Sequence, residues 1–239
     1  MTTTAKPESH PEHAEPAAEI GRLMALMTGD EKHGPAATST VDVLRVLYER
    51  VLDVGPDRVD DPTRDRFLLS KGHGPMAYYA VLCRQGFIPE QWLPDWLSWG
   101  SPLGAHPDRN LVPGVEISSG SLGHGLPLGV GVALGLRAQR IDSRVVVLVG
   151  DAELDEGSNQ EAMALAAALG LGALTVVVVD NRTASYAVPG RIAARFAAEG
   201  WQTVTVDGRD HDALEAALSR RNAAYPMAVV AQIGAEVPA

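Results

Sequence analysis

Two polar residues, each closing an apolar run, offer the most definite chemistry in this chain. Val145 to Val149 runs into Gly150-Asp151, and Leu174 to Val179 runs into Asp180-Asn181. An Ala-rich segment of helical character lies between them. The whole spans about thirty residues, the usual size of a βαβ unit. Its strands must be parallel and its crossover right-handed, so both strands end at the same sheet edge. Adjacent strands lie about 5 Å apart, which would set Asp151 beside Asn181 at the carboxyl end, where open α/β sheets bind ligands. A carboxylate, an amide oxygen and a loop carbonyl make half an octahedral shell for Mg²⁺, with phosphate oxygens and water completing it. Taken singly, Asp151 also reads as a helix cap and Asp180-Asn181 as a turn.

Three histidines, His33, His73 and His106, sit beside Gly or Pro in loops. An imidazole can donate, accept and transfer protons near pH 7. A histidine beside glycine is also often a plain loop residue, but three such loops aimed at one sheet edge make a candidate site.

The elements that must position these residues follow from periodicity. Helices are expected over Ile20–Met27, Val41–Leu52, Pro75–Gln85, Leu122–Ala138, Ile192–Glu199 and His211–Arg221, and strands over Phe67–Leu69, Val145–Val149, Leu174–Val179, Trp201–Val206 and Met227–Ile233. Loops are expected over Thr28–Thr40 and Asp53–Asp65. Trp92, Trp96 and Trp99 stand at helical spacing and read as core or interface packing. The glycine-rich helix Leu122–Ala138 invites close packing, for example against a second polypeptide. The alternation predicts a three-layer αβα domain with a mostly parallel sheet.

The chain has 239 residues, 46% hydrophobic and 21% charged, enough for a sizeable core in one domain. That domain is expected over residues 19–239, after a polar, Pro-rich tail over 1–18. With a net charge of −10 and no Lys/Arg cluster in the linear sequence, neither nucleic acid nor an anionic membrane is an expected partner. The lone Cys83 cannot pair within the chain, no signal-peptide layout opens it, and a reducing cytoplasm fits.

Gly150-Asp151, about thirty residues, then Asn181 resembles the thiamin diphosphate motif. Glu153-Leu154, Glu156-Gly157 and Glu161-Ala162 sit where transketolases carry "E-L-x-E-G…E-A". Upstream, His33-Gly34-Pro35 resembles "G-H-P-G", and Asp65 to His73 resembles "D-R-F-x-L-S-x-G-H". Gly104 to Asp108 resembles "G-H-P-E" with an inserted Ala, and Gly114 to Gly125 resembles "G-V-E-x-T-T-G-P-L-G-Q-G". The series keeps family order from about residue 20 to 233, and the chain is identified as similar to the N-terminal, diphosphate-binding part of a transketolase.

That resemblance implies a thiamin diphosphate-binding (PP-type) fold, with thiamin diphosphate and Mg²⁺ (or Ca²⁺) as cofactors. It implies that Asp151, Asn181 and the carbonyl of Thr183 hold the metal, that Gly150 and Ala152 flank the diphosphate, and that Gly120 and Leu122 meet the cofactor through their backbone. It also implies that His33, His73 and His106 line the site near the thiazolium and the substrate hydroxyls, and that Glu156 stands at a dimer interface. Among the departures from the pattern, Ala152 replaces a glycine, His124 a glutamine, and Lys32 a glycine. The family's pyrimidine-binding domain has no counterpart here. The implied activity is therefore that of a split transketolase, moving a two-carbon ketol unit from a ketose to an aldose. It needs a C-terminal pyrimidine-domain subunit in an α₂β₂ assembly and takes sugars or sugar phosphates. The alternatives are an α-type subunit of a 2-oxo acid decarboxylase or dehydrogenase, or a non-catalytic regulatory subunit supported by Ala152.

Overall fold

A computed structural model describes residues 16–28, 34–184 and 188–234. Strands β1 (Arg66–Leu69), β2 (Val145–Gly150), β3 (Leu174–Asp180), β4 (Gln202–Asp207) and β5 (Met227–Gln232) form one sheet in the order β1-β2-β3-β5-β4. All four pairings are parallel. The helices are α1 (Pro16–Ala25), α2 (Gly34–Val46), α3 (Pro75–Arg84), α4 (Gly125–Gln139), α5 (Gly157–Ala168), α6 (Arg191–Ala198) and α7 (His211–Leu218). A π-helical turn, Leu47–Val51, extends α2.

The inner strands β2, β3 and β5 bury both faces, so they read as continuous apolar runs, whereas the edge strand β4 is partly exposed and alternates. The two-residue period still sorts them. Val146, Leu148, Val177, Val179 and Val229 pack with α1, α2, α3 and α7, whereas Val145, Val147, Val149, Val176 and Val178 pack with α4, α5 and α6. The chain steps in one direction across the sheet from β1 through β3 to the edge strand β4. It then returns to insert β5, and a right-handed crossover on that return must pass over the opposite face. This places α7 across the sheet from α5 and α6.

The three-layer αβα expectation matches the fold. Its boundaries needed correction. Residues 34–40 belong to α2 and not to a loop; Gly34-Pro35 opens the helix, and proline suits a first turn because it lacks only an N–H that would be orphaned there. Helix α4 begins at Gly125, three residues after the expected Leu122, because the Gly123 N–H is drawn to Glu153 and 122–124 form a loop. Helix α7 ends at Leu218 rather than Arg221. The tryptophans do not share a helical stripe: Trp96 is buried, Trp92 is partly buried, and Trp99 is fully exposed beyond a six-residue 3₁₀ segment, Glu90–Asp95. Of the tail expected over residues 1–18, residues 1–15 lie outside the described residues, and 16–18 begin α1. Among the described residues no helix is long and apolar enough to cross a membrane.

The glycines of α4 divide by face. A Cβ on Gly129 would stand 2.5 Å from Val147 Cγ2, so the helix rests on β2 at van der Waals distance. A Cβ on Gly131 would meet nothing within 4 Å. Overpacking should cost Gly129→Ala about 1–3 kcal/mol, whereas Gly131→Ala should gain about 0.5–1 kcal/mol from reduced backbone entropy. Urea denaturation of the isolated chain should separate the two variants in opposite directions.

Candidate functional site

The site grows from the carboxyl ends of β2 and β3. Gly150 pairs with Val179, and the Asp151 N–H donates to Val179 O at 3.2 Å. Asp151 is 3% exposed, and its donors come from the next residue and from the loop after β3. Its Oδ1 accepts from Ala152 N at 2.9 Å and Thr183 Oγ1 at 2.6 Å, and its Oδ2 accepts from Thr183 N at 2.7 Å and Ala184 N at 3.0 Å. The Thr183 hydroxyl also lies 2.8 Å from Asn181 Oδ1. One hydroxyl proton can serve only one of these two oxygens, whereas a cation between them would serve both. The donors are all hard oxygens, which suits Mg²⁺ or Ca²⁺. Among the described residues no three His, Cys, Asp or Glu side chains are grouped to hold a metal, so a seat here relies on a single carboxylate. On this observation the residues present fit the divalent cation that the sequence implies.

Ala152 sits in an ordinary backbone conformation, since the non-glycine residues with positive φ are Leu97, Arg140 and Arg182. Replacing the motif glycine therefore brings no backbone strain.

Glu153 gathers the surrounding loops. It is 2% exposed. Its Oε1 accepts from Gly123 N at 3.0 Å and, in a short hydrogen bond, from the Ser70 hydroxyl, while Oε2 accepts from Gly150 N at 3.2 Å. Ser70 Oγ in turn accepts from Gly125 N at 3.0 Å, which fixes the direction of its own proton toward Glu153. One carboxylate thus ties the end of β2 to the loop after β1 and to the loop that enters α4. Burial raises its pKa. The Ser70 hydroxyl, the Gly123 and Gly150 amides and Lys71 oppose that rise. Three donors aimed at two oxygens favour the ionised form.

Close approaches complete the cluster. Gly120 has φ 114°, a conformation open to glycine, and the His106 ring lies where its Cβ would be, 2.6 Å away. The Ser119 N–H donates to Pro107 O at 3.2 Å, and Arg109 N to Ser118 Oγ at 3.0 Å, zipping the His106 loop to the Gly120 loop. Leu122 Cδ2 lies 3.1 Å from the Cβ position of Gly72, next to His73. Gly123 packs on Glu156, whose own side chain is exposed. His73 and His106 are both exposed at this edge. The structure thus brings Gly120, Leu122, Gly150, Asp151, Ala152, Glu156, Asn181 and Thr183 together with His73 and His106. His33 lies outside the described residues. His211 is remote, paired with Asp42 at 2.6 Å.

Three participants had no role assigned from sequence: Ser70, Lys71 and Glu153. An acid just after a strand looks like a helix N-terminal charge, and only the fold reveals that Glu153 turns inward. Lys71 is buried and donates to His73 O at 2.6 Å. Burial lowers its pKa from 10.5 to about 8, against the pull of Asp151 and Glu153.

Comparison with known proteins points one way. Residues 17–234 match the family model described as transketolase, thiamine diphosphate binding domain. A protein named "Ferredoxin fas2" from Rhodococcoides fascians is 54% identical over 216 residues, 90% of this chain and 71% of its own length. One of the subunits of an apulose-4-phosphate transketolase from Actinobacillus succinogenes is 39% identical over 73% of this chain and 64% of its own length. A crystal structure of a transketolase mutant from Pichia stipitis superimposes with a TM-score of 0.77 at 26% identity, over 90% of this chain. The chain spans 35% of that transketolase. The ferredoxin name does not carry over, because even an iron–sulfur cluster held partly by histidines takes two thiolates, and most take four, whereas this chain has one cysteine.

Two outcomes are expected. Glu153→Ala leaves the Gly123 and Gly150 amides and the Ser70 hydroxyl without their acceptor and should cost about 3 kcal/mol or more in chemical denaturation. Glu153→Gln keeps one acceptor oxygen and should cost less. Lys71 carries a folded pKa below its unfolded value, so the unfolded chain binds the extra proton between pH 8 and 10.5, and stability rises across that window. Lys71→Met should abolish this rise in a pH series of melts.

Proposed function

The chain belongs to the transketolase family, and we propose that it is the diphosphate-binding subunit of a split transketolase that moves a two-carbon ketol unit from a ketose to an aldose. The observation that carries this reading is the convergence of the Asp151–Asn181–Thr183 oxygens with the Ser70–Gly74, Gly104–Asp108 and Ser118–Gly125 loops at one sheet edge.

When bound, thiamin diphosphate would supply a stabilised carbanion that permits cleavage and formation of the carbon–carbon bond. The protein's part is to hold, orient and move protons. Asp151, Asn181 and the Thr183 carbonyl would bind Mg²⁺ (or Ca²⁺) and, through it, the diphosphate. Gly150 and Ala152 would flank the diphosphate, with Lys71 adding positive charge behind Gly150. Gly120 and Leu122 would fix the ring system by backbone contact. The exposed imidazoles of His73 and His106, with His33, would bind substrate hydroxyls and hold or pass protons there.

A separate subunit would supply the pyrimidine-binding half, in an α₂β₂ assembly. Exposed Leu122, Leu128, Leu165 and Leu169, on or beside α4 and α5, support a protein-covered surface there, near Glu156. Sugars or sugar phosphates are the proposed substrates, in the cytoplasm. The Ser70-Lys71-Gly72-His73 and Ala105-His106-Pro107-Asp108 loops favour ketol transfer over 2-oxo acid decarboxylation. Ala152, in an ordinary backbone conformation, gives no support to a degenerate subunit.

Asp151→Ala should lower ketol transfer at limiting Mg²⁺ by 100-fold or more (about 3 kcal/mol) when assayed with the pyrimidine-domain partner. Undiminished activity would overturn the metal assignment, and CO₂ release from a 2-oxo acid would overturn the reaction class.

A further inference from the structure

We propose that the opposite, amino-terminal edge of the sheet carries a second binding site, for a phosphate-bearing small molecule with an apolar body. A cleft of about 610 Å³ opens there, between the end of α4, the turn after α5 and the turn after α7. That is the size range of small-molecule sites. Its apolar part comes from Ala133, Leu136, Ile141 and Leu171. Five arginines also line it: Arg137, Arg140, Arg144, Arg220 and Arg221. They come from two separate stretches of the chain, residues 137–144 and 220–221, so the five meet only in the fold. In a protein of net charge −10 with 20 Lys and Arg in all, a quarter of the cationic side chains meet in one cleft.

Part of this cationic charge has structural work. Arg137 donates to Leu169 O at 2.7 Å and Arg144 to Leu218 O at 3.1 Å, each satisfying a carbonyl at a helix carboxyl end. Arg144 Nε lies 3.4 Å from Asp65 Oδ2. Arg221 reaches Asp142 at 3.3 Å, in a pair too exposed to hold either side chain firmly. Arg140 and Arg220 differ: among the described residues their side chains make no hydrogen bond or ion pair. Arg140 also occupies φ 59° at the end of α4, where glycine or asparagine would be relaxed.

Against the five positive charges stand Asp65, Asp142 and three helix carboxyl ends, each worth about half a negative charge. The cleft keeps an excess of positive charge. Burial, and the like charge of Arg221, push the Arg144 pKa down against the pull of Asp65, so an added anion would relieve a crowded cation. Guanidinium groups above an apolar floor suit a phosphate joined to a flat or aliphatic body. The length of β2 sets this cleft about 20 Å from the Asp151 edge, so the two sites are distinct.

Adenosine monophosphate is a suitable probe, titrated calorimetrically into the full chain beside adenosine and inorganic phosphate. One-to-one binding of the monophosphate, tighter than either fragment, is expected. Arg140→Ala/Arg220→Ala should weaken it at least tenfold without lowering the melting temperature, because neither side chain supports the fold. Asp151→Ala, which empties the proposed metal seat, should leave it unchanged. The proposal is overturned by no binding, by equal binding to the double-arginine variant, or by binding abolished in Asp151→Ala. Tighter competition by an oligoglutamate peptide would also overturn it, since the cleft would then be a seat for an acidic protein segment. None of these outcomes touches the ketol-transfer reading, whose assay uses the other edge.

Discussion

A buried carboxylate with three donors holds this site together. Glu153 reaches back from the turn after β2 to the Gly150 amide, across to the Ser70 hydroxyl, and up to the Gly123 amide. Each of those donors begins a segment that presents candidate site residues: Gly150 leads to Asp151, Ser70 to His73, and Gly123 lies beside Leu122 and Gly120. Parallel sheets bring strand ends to one edge but leave the loops beyond them free to diverge. A single acceptor in low dielectric removes that freedom, because any loop that leaves strands a polar group without water.

The reverse side of this arrangement is its sensitivity to size. The Gly120–His106 and Gly125–Ser70 contacts leave no room for a methyl group. Position 152 is the contrast. There the chain carries alanine where the motif it resembles has glycine, and the backbone angle accepts it. Steric demand is thus concentrated where loops meet one another and relaxed where a chain segment turns toward solvent.

Much of this was legible beforehand for definable reasons. Two Val-rich runs about thirty residues apart with a helix between them read as a βαβ unit, and because the structure makes its strands neighbours, Asp151 and Asn181 follow the ends of adjacent strands. The positions of His73 and His106 followed from flanking sequence. What stayed hidden depended on contacts distant in the chain. Glu153 is local in sequence and nonlocal in its partners, and its inward turn becomes visible only with Ser70 and Gly123 in place. The arginines at residues 137–144 and 220–221 meet only because α4 and α7 deliver their ends to the same edge from opposite faces. The segment 34–40 read as a loop because Thr38, Ser39 and Thr40 resemble cap residues, yet packing of Val43, Leu44 and Leu47 against the core carries the helix through them.

The loop closed over Asp151 has a consequence for how such an enzyme matures. Four donors from the chain already satisfy both carboxylate oxygens, so the chain can complete its fold with no exposed or unpaired charge at Asp151. A cation taken up at the proposed seat would then be a late guest, and would have to displace the Thr183 hydroxyl that lies against both Asp151 and Asn181. On that proposal, loading would wait until a second polypeptide and a diphosphate arrived to share the work, and a shortage of metal would leave intact, recoverable chains rather than misfolded ones.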